Sequence, residues 1–352
     1  MFTKDDTKMI KGIAVMLMLF HHLFTFPERI FNDYVDLNIK GYSVSALIGS
    51  FGKICVMIFI FLAGYGIYLS LLKDNEDNVI KKRISNLYKL FWQVFIIFVP
   101  ICIIFKKINF NIIDIILNFV GFKLSFNGEW WFLAPYIILI LFSPLIFKLF
   151  KKLNLSGSIV LVIFANVICL EIIPIIQRNS WTSLLYGNQI FQNIHLTLNL
   201  LSGFLMGMLC AKYDIISYFK NKYSNNYLYV IVSIFGLLVL FYVRLKLDYL
   251  YDYIYAPIFI IFVTIILSTK NKLLSNVRKF TIKVGNESTI IWLVHSFYCY
   301  TLCQKFIFMP KLSVLIFGWL LLLSYTTSLV IKYIFYKLGI IYKKLLLKLE
   351  VK

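Results

Sequence analysis

Charge is what this sequence has least of: 15% of its 352 residues are charged, and only 16 are acidic. Soluble domains carry about 25% charged and about 45–50% apolar residues, so 61% apolar residues and a mean hydropathy of +0.83 exclude that class. Cysteine is sparse too, and all six residues (Cys55, Cys102, Cys169, Cys210, Cys299 and Cys303) lie inside apolar stretches. There is no CxxC pair and no histidine at zinc-ligand spacing, so the cysteines read as small packing residues and no metal is expected. No small-residue cleavage site follows the apolar block after Lys11, which is therefore a first membrane helix and not a removed signal peptide. The net charge of +20 sits in short segments between apolar blocks and forms no single patch, so the lipid bilayer, and not nucleic acid, is the expected partner.

What is present is a series of apolar runs near 9–26, 52–72, 88–105, 130–149, 157–176, 195–212, 227–243, 253–269, 287–308 and 312–336. About ten spans of about 20 residues use roughly 200 positions, which leaves no room for a folded water-soluble domain. The expectation is an all-α polytopic helix bundle, one integral-membrane domain over 1–352, multi-pass in the cell membrane. The stretch 110–122 suits a short interfacial helix, and 177–194 is the least regular loop. Alternate loops divide the 36 Lys and Arg residues 25 to 11, which puts both termini in the cytoplasm. No internal repeat is visible.

Polar groups inside these spans are costly and mark candidate sites. The first helix reads KGIAVMLMLFHH. At about 100° per residue, His22 returns to within about 20° of Lys11, roughly 16 Å along the axis, while His21 lies about 80° off that line. Lys11 and His22 thus form one stripe, a cation and a base; a snorkelling lysine with two interfacial histidines is the structural alternative. In the ninth helix STIIWLVHSF puts Ser288, Trp292 and His295 on one face, and His295 is either a site residue or a structural histidine. His195, at the start of the sixth helix, reads as interfacial. Gly64 and Gly66 in FIFLAGYGIYLSLL permit close helix approach. The loop after it carries Lys81, Lys82, Arg83 and Lys89, which could hold a phosphate-rich ligand or serve topology alone. GEWWFLAP offers Glu129, Trp130 and Trp131 as an interface belt or as a sugar-binding platform. Glu171, near Pro174, has no assigned role.

Four blocks in order, KGIAVMLMLFHH, VMIFIFLAGYGIYL followed by KKRISNLYKLFW, GEWWFLAPYIILILFSPLI and STIIWLVHSFY, resemble the bacterial membrane acyltransferase-3 family, integral-membrane O-acetyltransferases of surface glycans. That family typically shows Arg and then His eleven residues on, an FxxSGY-like segment leading to basic residues, a WFL block and an S-x-x-x-Y-x-x-H-like ending. Here Lys11 replaces the Arg, and a point charge contacts an anion differently from a bidentate fork. Ala63 stands for Ser, Asn86 for a second basic residue, and Trp292 for Tyr. The resemblance implies acetyl-CoA as acyl donor, His22 as catalytic base, and Lys11 and Arg83, with Lys82 beside them, as donor contacts. It also implies His295 as a supporting site residue, and a surface polysaccharide or lipid-linked sugar as acceptor. Histidine suits the chemistry, since its ordinary pKa lies near neutrality.

A secondary transporter would also have ten spans but more often shows broken helices in corresponding halves. A polysaccharide polymerase or ligase usually carries a long outer loop with several arginines. Many relatives carry a soluble hydrolase-like domain after the membrane part. This chain ends about sixteen residues past the last expected span, so it is expected to complete transfer alone or pass acetyl to a separate protein.

Overall fold

The computed structural model describes residues 2–168, 188–247 and 251–350. Glu171, Pro174, Cys169 and most of the 177–194 loop lie outside the described residues. The described chain is an all-α polytopic bundle. Its first helix, α1 (Lys4–Phe24), opens on a capping box in which Thr3 and Asp6 satisfy each other's backbone N–H groups. The Asp6 carboxylate is fully buried and accepts charged donors from Lys220 and Arg278, each at 2.7 Å. A buried charge persists only with such partners, and here they tie the start of α1 to two distant helices.

Short α2 (Val44–Gly52) leads into α3 (Ile54–Leu71), and then α4 (Glu76–Ile104) follows. The expected span at 88–105 begins earlier, at Glu76, because Asn75 caps the helix by accepting from Asp77 N–H. Charges end an apolar window, not a helix. The KKR segment expected in a loop is therefore helical, which fixes where Arg83 points. The segment 110–122 holds α5 (Ile112–Phe119). Next come α6 (Leu133–Lys152), α7 (Leu155–Val167), α8 (Gln189–Lys212), α9 (Ile215–Tyr223), α10 (Tyr227–Lys246) and α11 (Asp252–Leu267). Then α12 (Lys272–Ser296) starts well before the expected 287, capped by Asn271, and runs into a π-helical turn at Phe297–Leu302. Short α13 (Gln304–Phe308) and long α14 (Ser313–Glu350) complete the chain.

Among the described residues, seven segments are long and apolar enough to cross a bilayer: Lys4–Phe24, Val44–Leu71, Glu76–Ile104, Gly128–Lys152, Gln189–Lys212, Tyr227–Lys246 and Ser313–Lys343. Leu155–Val167 and Asp252–Leu267 are apolar but shorter, and α12 carries charged residues through its first half. Together these ten overlap the ten expected runs.

The arrangement turns on α1, which packs chiefly against α12. A β-carbon on Gly12 would lie 2.0 Å from Thr281 O, and one on Gly285 would lie 1.8 Å from Lys8 O. The two backbones touch where both side chains are missing, as small residues allow in membrane bundles. Between α1 and α2 the chain makes a two-residue hairpin turn at Lys40 and Gly41, with φ of 50° and 82°. Asp36 in this loop accepts from the hydroxyls of Ser43, Ser45 and Ser313, tying the loop to the start of α14. Partial burial works against its charge, and these bonds outweigh it, holding the carboxyl at about 2.

Candidate active site

A cavity of about 580 Å³ opens between α1, α3, α4, α12 and the segment before α6. One end is cationic: Lys11 from α1 and Arg83 from α4 line it together, with Asn86 one turn along. Arg83 donates to Ser70 Oγ at 3.2 Å, and its guanidinium fills the space beside Gly66, where a β-carbon would come within 3.2 Å of Nη2. Gly66 therefore makes room for a side chain, whereas Gly64 makes room for backbone: its β-carbon would lie 2.0 Å from Phe204 O. The middle wall is apolar, built by Met18, Val56, Phe59, Leu62 and Leu90.

The other end holds the histidine. His22 and Glu129 both line it, with Nε2 of His22 3.5 Å from Oε2 of Glu129. Arg29 Nη1 donates to Glu129 Oε1 at 2.8 Å, and Glu129 is the one carboxylate among the described residues that line the cavity. Partial burial works against the charge of Arg29, and the Glu129 carboxylate more than offsets it, so the guanidinium pKa lies above its ordinary value. The guanidinium stacks 4.5 Å over the Phe26 ring and 5.5 Å from the Tyr300 ring. Tyr300 O–H in turn donates to His22 O at 2.5 Å.

The remaining sequence candidates divide. Ser288 and Trp292 line the cavity; Trp292 Nε1–H donates to Glu129 O at 3.0 Å and so fixes the backbone that carries the carboxylate. Trp131 lines it too, but Trp130 is fully buried among Phe91, Phe95 and Phe297, its Nε1–H donating to Leu293 O. Gly128–Phe132 is a 3₁₀ helix, in which neighbours diverge by about 120°, so the two indoles enter different surroundings. His295 is fully buried behind the cavity, its ring 4.8 Å from that of His22 and its Nδ1 bonded to Trp292 O at 2.7 Å. Lys81 and Lys82 are exposed and do not line the cavity, and neither does His195, which bonds Asn199.

His21 packs against the neighbouring α2, bonding Gly49 O at 2.9 Å, and also borders the cavity. The close approach of α2, where a β-carbon on Gly52 would lie 2.4 Å from Leu17 O, brings that acceptor within reach. Arg29, Lys53 and Tyr300 are the residues at this end that sequence reasoning missed. The first two counted there only as topology charges, and Tyr300 lay unmarked in an apolar run. Among the described residues no group of three or more His, Cys, Asp or Glu side chains is placed to hold a metal ion.

The geometry thus joins a cationic end to a histidine–carboxylate end through an apolar passage inside a membrane helix bundle. The sequence profile of the acyltransferase-3 family, described as an acyltransferase domain, matches residues 7–337. The chain belongs to that family and is a membrane acyltransferase. No curated protein and no solved structure matches it.

Proposed function

We propose that the protein transfers an acetyl group from cytoplasmic acetyl-CoA to a hydroxyl of a cell-surface polysaccharide or glycolipid sugar, with both termini cytoplasmic. One observation carries the reading: a single cavity runs between Lys11 with Arg83 and His22 with Glu129. Two cations with no carboxylate among the described lining residues at their end form a site for phosphate oxygens, which charged nitrogen donors match. The stripe length of roughly 16 Å from Lys11 to His22 is one that an extended pantetheine arm bridges, and the apolar middle wall suits its methyl and methylene groups. Trp131 and Trp292 offer indole faces for a sugar ring beside His22.

The chemistry balances within this frame. The acceptor hydroxyl gives its proton to Nε2 of His22 as its oxygen attacks the thioester carbonyl. Glu129 balances the imidazolium that results, and Arg29 holds Glu129 in place. Collapse of the tetrahedral adduct breaks the C–S bond, and the imidazolium returns the proton to the CoA sulfur. The products are the O-acetyl ester and free CoA, with His22 neutral again.

The test is transfer of label from radiolabelled acetyl-CoA to envelope glycans in membranes containing the protein. Wild type transfers label, and His22→Ala at equal abundance does not. Transfer by His22→Ala at the wild-type rate would remove the base assignment, and transfer from a longer acyl-CoA in preference to acetyl-CoA would change the donor.

A further inference from the structure

A neutral imidazole can act as a base through only one nitrogen, and which one depends on the hydrogen bond made by the other. At His22 that second bond comes from an unusual place. Tyr300 lies in the π-helical turn Phe297–Leu302, directly after α12. Such turns interrupt the regular helical phase and often occur at functional sites. Here the turn aims the phenol back across the bundle at α1, where it makes two contacts with a single residue. The hydroxyl oxygen lies 2.5 Å from His22 O and 3.3 Å from His22 Nδ1.

A phenol has one proton. The carbonyl of His22 can only accept, so the shorter contact uses that proton. The same oxygen then presents only lone pairs toward Nδ1, and the 3.3 Å contact is attractive only if Nδ1 carries hydrogen. We infer that Tyr300 is a positioning residue that holds His22 in the Nδ1–H tautomer, leaving Nε2 as the basic nitrogen on the side of Glu129 and the cavity. Among the described residues the two neighbouring imidazoles make no such bond: Nδ1 of His21 is engaged with Gly49 O, and Nδ1 of His295 with Trp292 O while its Nε2 has no hydrogen-bond partner.

The turn itself is anchored to the same site. The Gln304 amide donates to Cys299 O at 2.9 Å and to Arg29 O at 2.7 Å, and Arg29 holds Glu129. Tyrosine, base and counter-ion therefore share one frame.

This inference rests on the reading of His22 as the base, and the experiment separates the two. Tyr300→Phe keeps the ring and removes only the hydroxyl. In native membranes, which supply the acceptor, it is expected to lower kcat with radiolabelled acetyl-CoA by about tenfold to a hundredfold, the range for a hydrogen bond to a charged group. The KM for acetyl-CoA and the membrane abundance are expected to stay at wild-type values. The independent readout is the imidazole ¹³C and ¹⁵N solid-state NMR spectrum of histidine-labelled protein, with the His22→Ala spectrum subtracted to assign His22 among the four histidines. Wild type should show the Nδ1–H form, and Tyr300→Phe a mixed or Nε2–H population. An Nε2–H form in wild type, or an unchanged tautomer in Tyr300→Phe whatever its rate, overturns the inference. A shifted tautomer with an unchanged kcat supports the tautomer assignment and removes His22 from the base role instead.

Discussion

Nε2 of His22 stands 3.5 Å from Oε2 of Glu129, while Arg29 holds the other carboxylate oxygen at 2.8 Å. The His22 contact is too long for a good hydrogen bond to a neutral ring and short enough to stabilise an imidazolium. With His22 as the proposed base, that contact gives Glu129 a proposed task beyond binding sugar hydroxyls. Replacing it by Gln keeps an acceptor for Arg29 and leaves the backbone carbonyl that receives Trp292 untouched, but removes the charge. Glu129→Gln is expected to lower kcat about tenfold to a hundredfold, the effect of losing about 1.5–3 kcal/mol of charge-assisted interaction. Acetyl transfer measured at varied acceptor and donor decides it. A raised acceptor KM at constant kcat would return Glu129 to sugar recognition alone.

At the far end, Arg83 donates to Ser70 and otherwise faces the cavity beside Lys11. Arg83→Ala should raise the KM for acetyl-CoA about tenfold to a hundredfold, since one phosphate contact is worth about 1.5–3 kcal/mol, with protein level unchanged. Lys82→Ala, at an exposed position outside the cavity lining, should change KM far less. Equal effects of the two would mean that the basic cluster acts only as diffuse charge.

The stripe of Lys11 and His22 was legible in the sequence because helical phase is a local property of one segment, and both residues line the cavity. Arg83 was legible as a residue but not as a direction. Its neighbours' charges read as a loop, whereas the Asn75 cap carries the helix through them. Trp130 and Trp131 looked equivalent because a WW pair does not reveal that its backbone is 3₁₀. The Glu129–His22 pair and the reach of Tyr300 depend on long-range packing, set by contacts such as Gly12 against Thr281. A single sequence carries no periodicity that points to such a partner, so these relationships appear only in three dimensions.

The basic asymmetry of 25 to 11 makes a directional statement about the α9–α10 connection. Asn225 in that connection is exposed and should face the cytoplasm with Arg83. A cysteine at Asn225 in a background without other reactive thiols should resist an impermeant maleimide in intact cells and react after permeabilisation. Labelling in intact cells would invert the topology and with it the donor side of the cavity.

The two adjacent histidines provide the last test, because both border the same cavity and differ in what their nitrogens do. His21 donates through Nδ1–H to Gly49 O, since a carbonyl oxygen can only accept. The ring is thereby fastened to α2, about 80° away from the Lys11 line, where it shapes the wall. His22 instead has the Glu129 carboxylate beside Nε2 and the aromatic frame of Tyr300 behind it. His22→Ala should lower acetyl transfer by about 10²–10⁴, the usual loss when a general base is removed, with membrane abundance retained. His21→Gln, which can still donate to Gly49, should lower it by no more than about tenfold, as expected for a lost packing or single hydrogen-bond contribution. Transfer rate and abundance measured side by side for both variants decide the order. If His21→Gln were inactive and His22→Ala active at equal abundance, the base would be His21, and the Glu129–Arg29 pair would have to serve a neighbour it does not touch.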